Sequence, residues 1–341
     1  MRTLVAILSL VLTLQSCEKA SLPEFTVYDF PYELEIPSGF PDIPIPADNE
    51  LTVNRVKLGK ILFHDKRLSR DNSISCASCH LQELAFAEGL TTSIGIDGAV
   101  GPRNSPSLAN IGYVDSLFWD GGVPTLELQV LAPIHNALEM DSHIQDVLDK
   151  LGSDNEIQKL SRIAYDRELD MYVITRALSA FQRTLISGNS RFDQFHFQGE
   201  VSAFNESEIA GWELFNSETT NCASCHGGFN FTDNSFQNIG LYEDYQDAGR
   251  ERVTLRSADN GKFRVPSLRN VGLTAPYMHD GSIATLSDVI DFFNEGGHAH
   301  ANKSELVQPL NLNETEKSQL QDFLETLTDE EFIYNHEFQL D

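Results

Sequence analysis

A chain of 341 residues, 41% hydrophobic and 22% charged, is long enough for two domains with their own cores and shows no compositional sign of disorder. Its formal net charge of −27 excludes nucleic acid as a natural partner, because such a field repels phosphates. The same acidity suits either plain solubility or the steering of a basic protein partner.

The first residues join a charged start, Met1-Arg2, to an apolar run from Leu4 to Leu14 and a small-residue site, Leu14-Gln15-Ser16-Cys17. This is an export signal, too short to remain as a membrane span. Leu-x-Ser-Cys resembles a bacterial lipobox, so residues 1–16 read as a lipoprotein signal peptide. Cys17 would then be acylated and hold the protein on the periplasmic face of a membrane. A soluble periplasmic protein that discards Cys17 is the alternative. Residues 17–50 contain Pro23, Pro31, Pro37, Pro41, Pro44 and Pro46, which predicts a tether or a segment wrapped over the surface in place of helix.

From Val53 to Phe63 the apolar positions Val56, Leu58, Ile61 and Leu62 predict a helix leading toward Cys76-Ala77-Ser78-Cys79-His80. Arg167 to Ser187, with Leu169, Val173, Ile174, Leu178, Phe181 and Leu185, predicts a long amphipathic helix stopped by Gly188-Asn189-Ser190. Asn205 to Phe215 predicts another, opened by an Asn205/Glu208 capping box and offering Ile209, Trp212, Leu214 and Phe215 to a core. It precedes a second copy of the cysteine motif, Cys222-Ala223-Ser224-Cys225-His226.

Cys-x-x-Cys-His is the attachment signature of c-type haem: the thiols form thioethers with the haem vinyl groups and the histidine ligates the iron. A single copy would also suit a redox dithiol or half a zinc site. Two copies, in a chain whose only other cysteine is Cys17, point to two covalently bound haems, because zinc has no need of a histidine directly after each second cysteine. A longer repeat surrounds them. Pro106-Ser107-Leu108, Asn110, Gly112, Asp120-Gly121 and Thr125-Leu126 recur at the same spacing as Pro266-Ser267-Leu268, Asn270, Gly272, Asp280-Gly281 and Thr285-Leu286. Repeats of this length are duplicated domains. With little alternating strand pattern anywhere, the expected fold is mainly α: two cytochrome c-like domains, 51–200 and 201–341, each wrapped around a haem.

These motifs resemble the bacterial di-haem cytochrome c peroxidase family, including its MauG-like branch, from about Leu51 to Thr328. The resemblance is also carried by the segments Gly101–Leu108, Phe118–Gly121, Gln129–Glu139, Val265–Val271 and Thr274–Gly281. It implies that the N-terminal haem meets hydrogen peroxide and that the C-terminal haem receives or stores electrons. Carried over by position, His80 and His226 ligate the irons, and Gln129 and Glu139 line the distal pocket of the first haem. Peroxide cleavage needs a proton taken from one oxygen and returned to the other, which a positioned carboxylate can do. Taken alone, Glu139 would read as a solvated helix residue. Trp119 matches the tryptophan that helps electrons pass between the haems, though it also suits a core. Asn104, Thr274 and Pro276 match positions that hold calcium between the domains, where hard oxygen donors fit.

The departures from the family carry their own expectations. The histidine that peroxidases of this family place sixteen residues after the first proximal histidine is here Ile96, which cannot ligate iron, so this haem should be open at rest as in the MauG-like branch. At the second haem the usual methionine or tyrosine is Phe293. His298, His300 or Met278 would have to substitute, with Met278 ranked below His298, or the iron would be five-coordinate. The expected activity is reduction of hydrogen peroxide to water with electrons from a donor protein such as a small cytochrome c. A MauG-like oxidase acting on a protein substrate and a plain di-haem electron-transfer cytochrome are the alternatives, and homodimer formation stays open.

Overall fold

The computed structural model describes residues 29–340; the segment expected to be a signal peptide, Cys17 and the first residues of the proline-rich stretch lie outside them. The described part of the tether is wrapped over the surface. Pro31 bridges Thr52, Ile43 is buried, and Phe40 packs 4.7 Å from Phe229 and under the Arg269 guanidinium at 4.6 Å. It thereby touches both halves of the chain.

Eight longer helices organise the rest: α1 Val53–His64, α2 Ile144–Leu151, α3 Asn155–Tyr165, α4 Met171–Gln182, α5 Arg191–His196, α6 Glu206–Phe215, α7 Leu286–Glu295 and α8 Glu314–Glu325. The strand content of the described residues is one two-stranded antiparallel sheet, β1 Phe236–Gln237 against β2 Phe263–Arg264, with Phe236 opposite Arg264. No helix of the described residues is long and apolar enough to cross a membrane.

The helices before each cysteine motif form where the apolar spacing predicts them. At α6 the Asn205 side chain accepts from the Glu208 N–H while the Glu208 carboxylate accepts from the Asn205 N–H, which satisfies two end donors reciprocally. The predicted helix over 167–187 is shorter. Asp170 caps it, accepting from the Val173 N–H at 3.0 Å, and α4 ends at Gln182. Beyond that point other acceptors take the backbone: Ser187 N–H donates to Asn110 Oδ1 at 2.9 Å, and the Gly188 and Asn189 N–H groups donate to Asp329 Oδ2 at 2.8 and 2.9 Å. Ser190, read from sequence as part of a stop, is the N-cap of α5.

Two crossings repeat the same device. α1 crosses α4 at Gly59, where a Cβ would lie 1.9 Å from the Ala177 carbonyl oxygen, and α6 crosses α8 at Gly211, where a Cβ would lie 1.9 Å from the Gln319 carbonyl oxygen. Only glycine allows backbones this close. Each is followed four residues on by a buried phenylalanine: Phe63 lies 6.4 Å from His80, and Phe215 shares a cavity lining with His226. The asparagines of the Pro-Ser-Leu-x-Asn repeat also match: Asn110 and Asn270 both take left-handed backbone, φ 58° and 60°, and both hold Ser187 at the centre of the chain.

The buried side chains form two apolar clusters, and each fully buried Leu or Phe contributes about 1.5–3 kcal/mol. One gathers α1, α3 and α4; the other is dominated by Phe192, Phe204, Phe215, Phe231 and Phe323. They do not follow the boundary at 200. Phe192 of α5 belongs to the second cluster, whereas Phe332, Ile333 and Phe338 at the chain's end return to the first, against Phe86.

Candidate functional site

Both cysteine motifs are set for a covalently held planar group. Cys76–Cys79 is a one-turn helix capped by Ser75 and Ser78, and His80 Nδ1 lies 2.8 Å from the Phe86 carbonyl oxygen. In the second motif His226 Nδ1 lies 3.0 Å from the Phe231 carbonyl oxygen. A neutral imidazole that donates from Nδ1 keeps its Nε2 lone pair for a metal, and burial pushes both histidines below the ordinary imidazole value. Phe86 and Phe231 reach these bonds with left-handed backbone, φ 60° and 50°. The thiols do not suit redox exchange, which needs a lowered pKa. Burial pushes Cys76 and Cys79 up to about 12 and also raises Cys222 and Cys225.

Glu139 comes to the first motif. Its carboxylate acts on both Cys76 and Cys79, accepts from Asn136 Nδ2 at 2.6 Å, and is held above the ordinary carboxylate value by burial. The Asn136 bond opposes that rise, and the neighbouring Glu88 carboxylate adds to it. Ile96 is 3% exposed, and its N–H donates to the Glu139 carbonyl oxygen at 2.9 Å, so the loop that lacks the histidine is clamped to the segment carrying the acid. Gln129 ends the turn Leu126–Gln129 of the same segment and is half-buried.

Beside the second motif lies a mostly apolar cavity of about 280 Å³, lined by Cys222, Cys225 and His226. Trp119, from the first half of the chain, lines it too. Its Nε1–H donates to the Asn104 carbonyl oxygen at 2.9 Å, and its own carbonyl oxygen accepts from the Arg264 N–H at 2.8 Å. Phe293 and Met278 also line the cavity. His298, ranked above Met278 from sequence, does not: it is exposed, its backbone tied to Gly240. His300 is engaged through Nδ1 by Asn238 and the Asn302 N–H, both at 3.0 Å. Asn104, Thr274 and Pro276 gather at this cavity; the Asn104 amide donates to the Leu90 carbonyl oxygen at 2.8 Å.

Sequence reasoning passed over Glu88, Asn136, Arg264 and the paired Phe86 and Phe231. The shared Gly-x-x-x-Phe of α1 and α6 was a readable signal for the crossings. Nothing local marked Glu88, which becomes notable only through its 8% exposure beside Cys79.

A mainly helical chain with two such histidines, each preceded by an attachment pair, is built to carry two covalent haems. Residues 53–202 match the model of the di-haem cytochrome c peroxidase family. The chain is 37% identical over 289 residues to the methylamine utilization protein MauG of Methylorubrum extorquens, covering 84% of this chain and 81% of that one. It is 34% identical over 327 residues to cytochrome-c peroxidase IdrP1 of Pseudomonas sp. (strain SCT), covering 84% of each. A solved structure of a MauG-like protein associated with microbial copper homeostasis superposes with a TM-score of 0.87 at 37% identity, covering 90% of this chain and 99% of that one. The chain belongs to the di-haem cytochrome c peroxidase family, an oxidoreductase family that implies two c-type haems.

Proposed function

We propose that this protein reduces hydrogen peroxide to water at the first haem site, with electrons drawn from an external donor such as a small cytochrome c. The supporting observation is the buried Ile96, clamped to Glu139, where family peroxidases place a displaceable histidine. A side chain without a lone pair cannot ligate iron, and here it sits beside an acid. A haem held by Cys76, Cys79 and His80 supplies the redox centre for this chemistry. Glu139 takes a proton at a carboxylate oxygen from one peroxide oxygen and returns it to the other, while Asn136 holds the carboxylate in place. Two electrons and two protons complete the conversion of one peroxide to two waters. Trp119, which lines the second cavity and donates to the Asn104 carbonyl oxygen, carries electrons between the halves in this reading.

The second reading is a MauG-like oxidase acting on a protein substrate, favoured by the same missing histidine and by the extent of the MauG match. In both readings the chain is exported, as a lipoprotein or a soluble periplasmic protein, and a calcium ion rests on Asn104, Thr274 and Pro276. The test is spectroscopic and kinetic. The oxidised protein should show one high-spin haem that takes up cyanide without prior reduction, and should turn over peroxide with a reduced small cytochrome c. Two low-spin haems that refuse cyanide until reduced would overturn the open site, and slow turnover with every small donor would leave the oxidase reading.

A further inference from the structure

Three arginines are buried among the described residues: Arg183, Arg264 and Arg269. Two are matched to carboxylates. Arg183 bonds both oxygens of Glu127, at 2.6 and 3.2 Å, and Arg269 bonds both oxygens of Asp193, at 2.8 and 2.9 Å. Arg264 has no such partner. Its one side-chain hydrogen bond is a long 3.5 Å contact from Nη1 to the Val265 carbonyl oxygen, and its Nε is buried with no acceptor. The carboxylate that acts on it, Asp115, is exposed and does so through space. Burial pushes the guanidinium down to about 10, so it stays protonated at neutral pH. A buried cation with a planar fork of donors and no anion is expensive, and the chain matches its other two buried guanidinium groups.

Arg264 is also fixed in place. Its backbone is in β2, opposite Phe236, and its N–H is held by the Trp119 carbonyl oxygen. From there its side chain lines the cavity that also holds Cys222, Cys225 and His226. A c-type haem attached at those cysteines brings two propionate carboxylates, anions of the shape a guanidinium binds with two parallel hydrogen bonds. We propose that Arg264 binds a propionate of the haem attached at Cys222 and Cys225. By offsetting negative charge close to the iron, it holds that haem's potential higher than the propionate alone would set it. This rests on the second haem's presence and not on which oxidation the first haem performs.

The experiment uses the full-length protein with both haems attached, counted by pyridine haemochrome. Arg264→Gln should shift the midpoint potential of the second haem downward and move its propionate bending band in the resonance Raman spectrum. Arg264→Lys keeps the charge without the fork, so it should recover most of the potential and not the band. An Arg264→Gln protein with unchanged potential and unchanged band would overturn the assignment. If that variant does not accumulate, the wild-type band decides alone: a frequency typical of a solvated propionate overturns the proposal. Peroxide turnover is measured separately, so its failure with a normal band would count against the peroxidase reading and leave Arg264 standing.

Discussion

Glu139→Gln is the most informative substitution at the first site. The two side chains have the same length and nearly the same volume, and glutamine keeps an oxygen to accept from Asn136 Nδ2, so the local geometry survives. What disappears is the group that takes and returns a proton. A positioned acid or base contributes about 10² to 10⁴ in rate, roughly 3 to 5 kcal/mol of barrier. The change should slow peroxide consumption by that factor under stopped flow, with both haems attached. Stability should move the other way. Burial, helped by Glu88, raises the folded-state pKa of Glu139 above its unfolded value, so the carboxylate's cost to the fold is absent in acid and grows as pH rises through the folded value. Glu139→Gln should therefore be slightly more stable than the parent at neutral pH, with the gain vanishing in acid. A variant that consumes peroxide at the parental rate would refute the acid/base role.

At the second site, Phe293→Met made in a Met278→Leu background should raise the haem's potential above that of Met278→Leu alone, since a thioether ligand favours ferrous iron; an unchanged spectrum and potential would mean that this side chain does not reach the metal. Met278→Leu should shift that haem toward high spin while His298→Ala leaves its spectrum alone, and the reverse result would restore the order expected from sequence. Gly211→Ala places a Cβ 1.9 Å from the Gln319 carbonyl oxygen, so an overpacking cost of about 1–3 kcal/mol or more should exceed the roughly 1 kcal/mol gained in helix propensity; denaturant unfolding of the haem-loaded protein would show a stabilised variant if the crossing were looser. Asn205→Ala removes the α6 cap and should cost about 1 kcal/mol in the same assay, with no loss meaning that the cap is redundant.

The sequence by itself determined whatever depends on residues close along the chain. The attachment pairs with their adjacent histidines, the α6 capping box, the duplication and the replacement of the usual ligands by Ile96 and Phe293 are all local or positional, and each was legible without coordinates. Tertiary structure decided what depends on which surfaces remain unpaired. Helix α4 stops at Gln182 because Asn110 and Asp329, distant in sequence, take the backbone that follows. Phe332 and Phe338 return to the first cluster, where both pack against Phe86. Met278 and not His298 reaches the second cavity because the Gly240 contact holds the His298 backbone to one side. Arg264 looks like any other arginine of the chain until the fold buries it without the carboxylate that Arg183 and Arg269 receive. Local bonding is written in neighbouring residues, whereas burial and the matching of charges exist only once distant segments share a core.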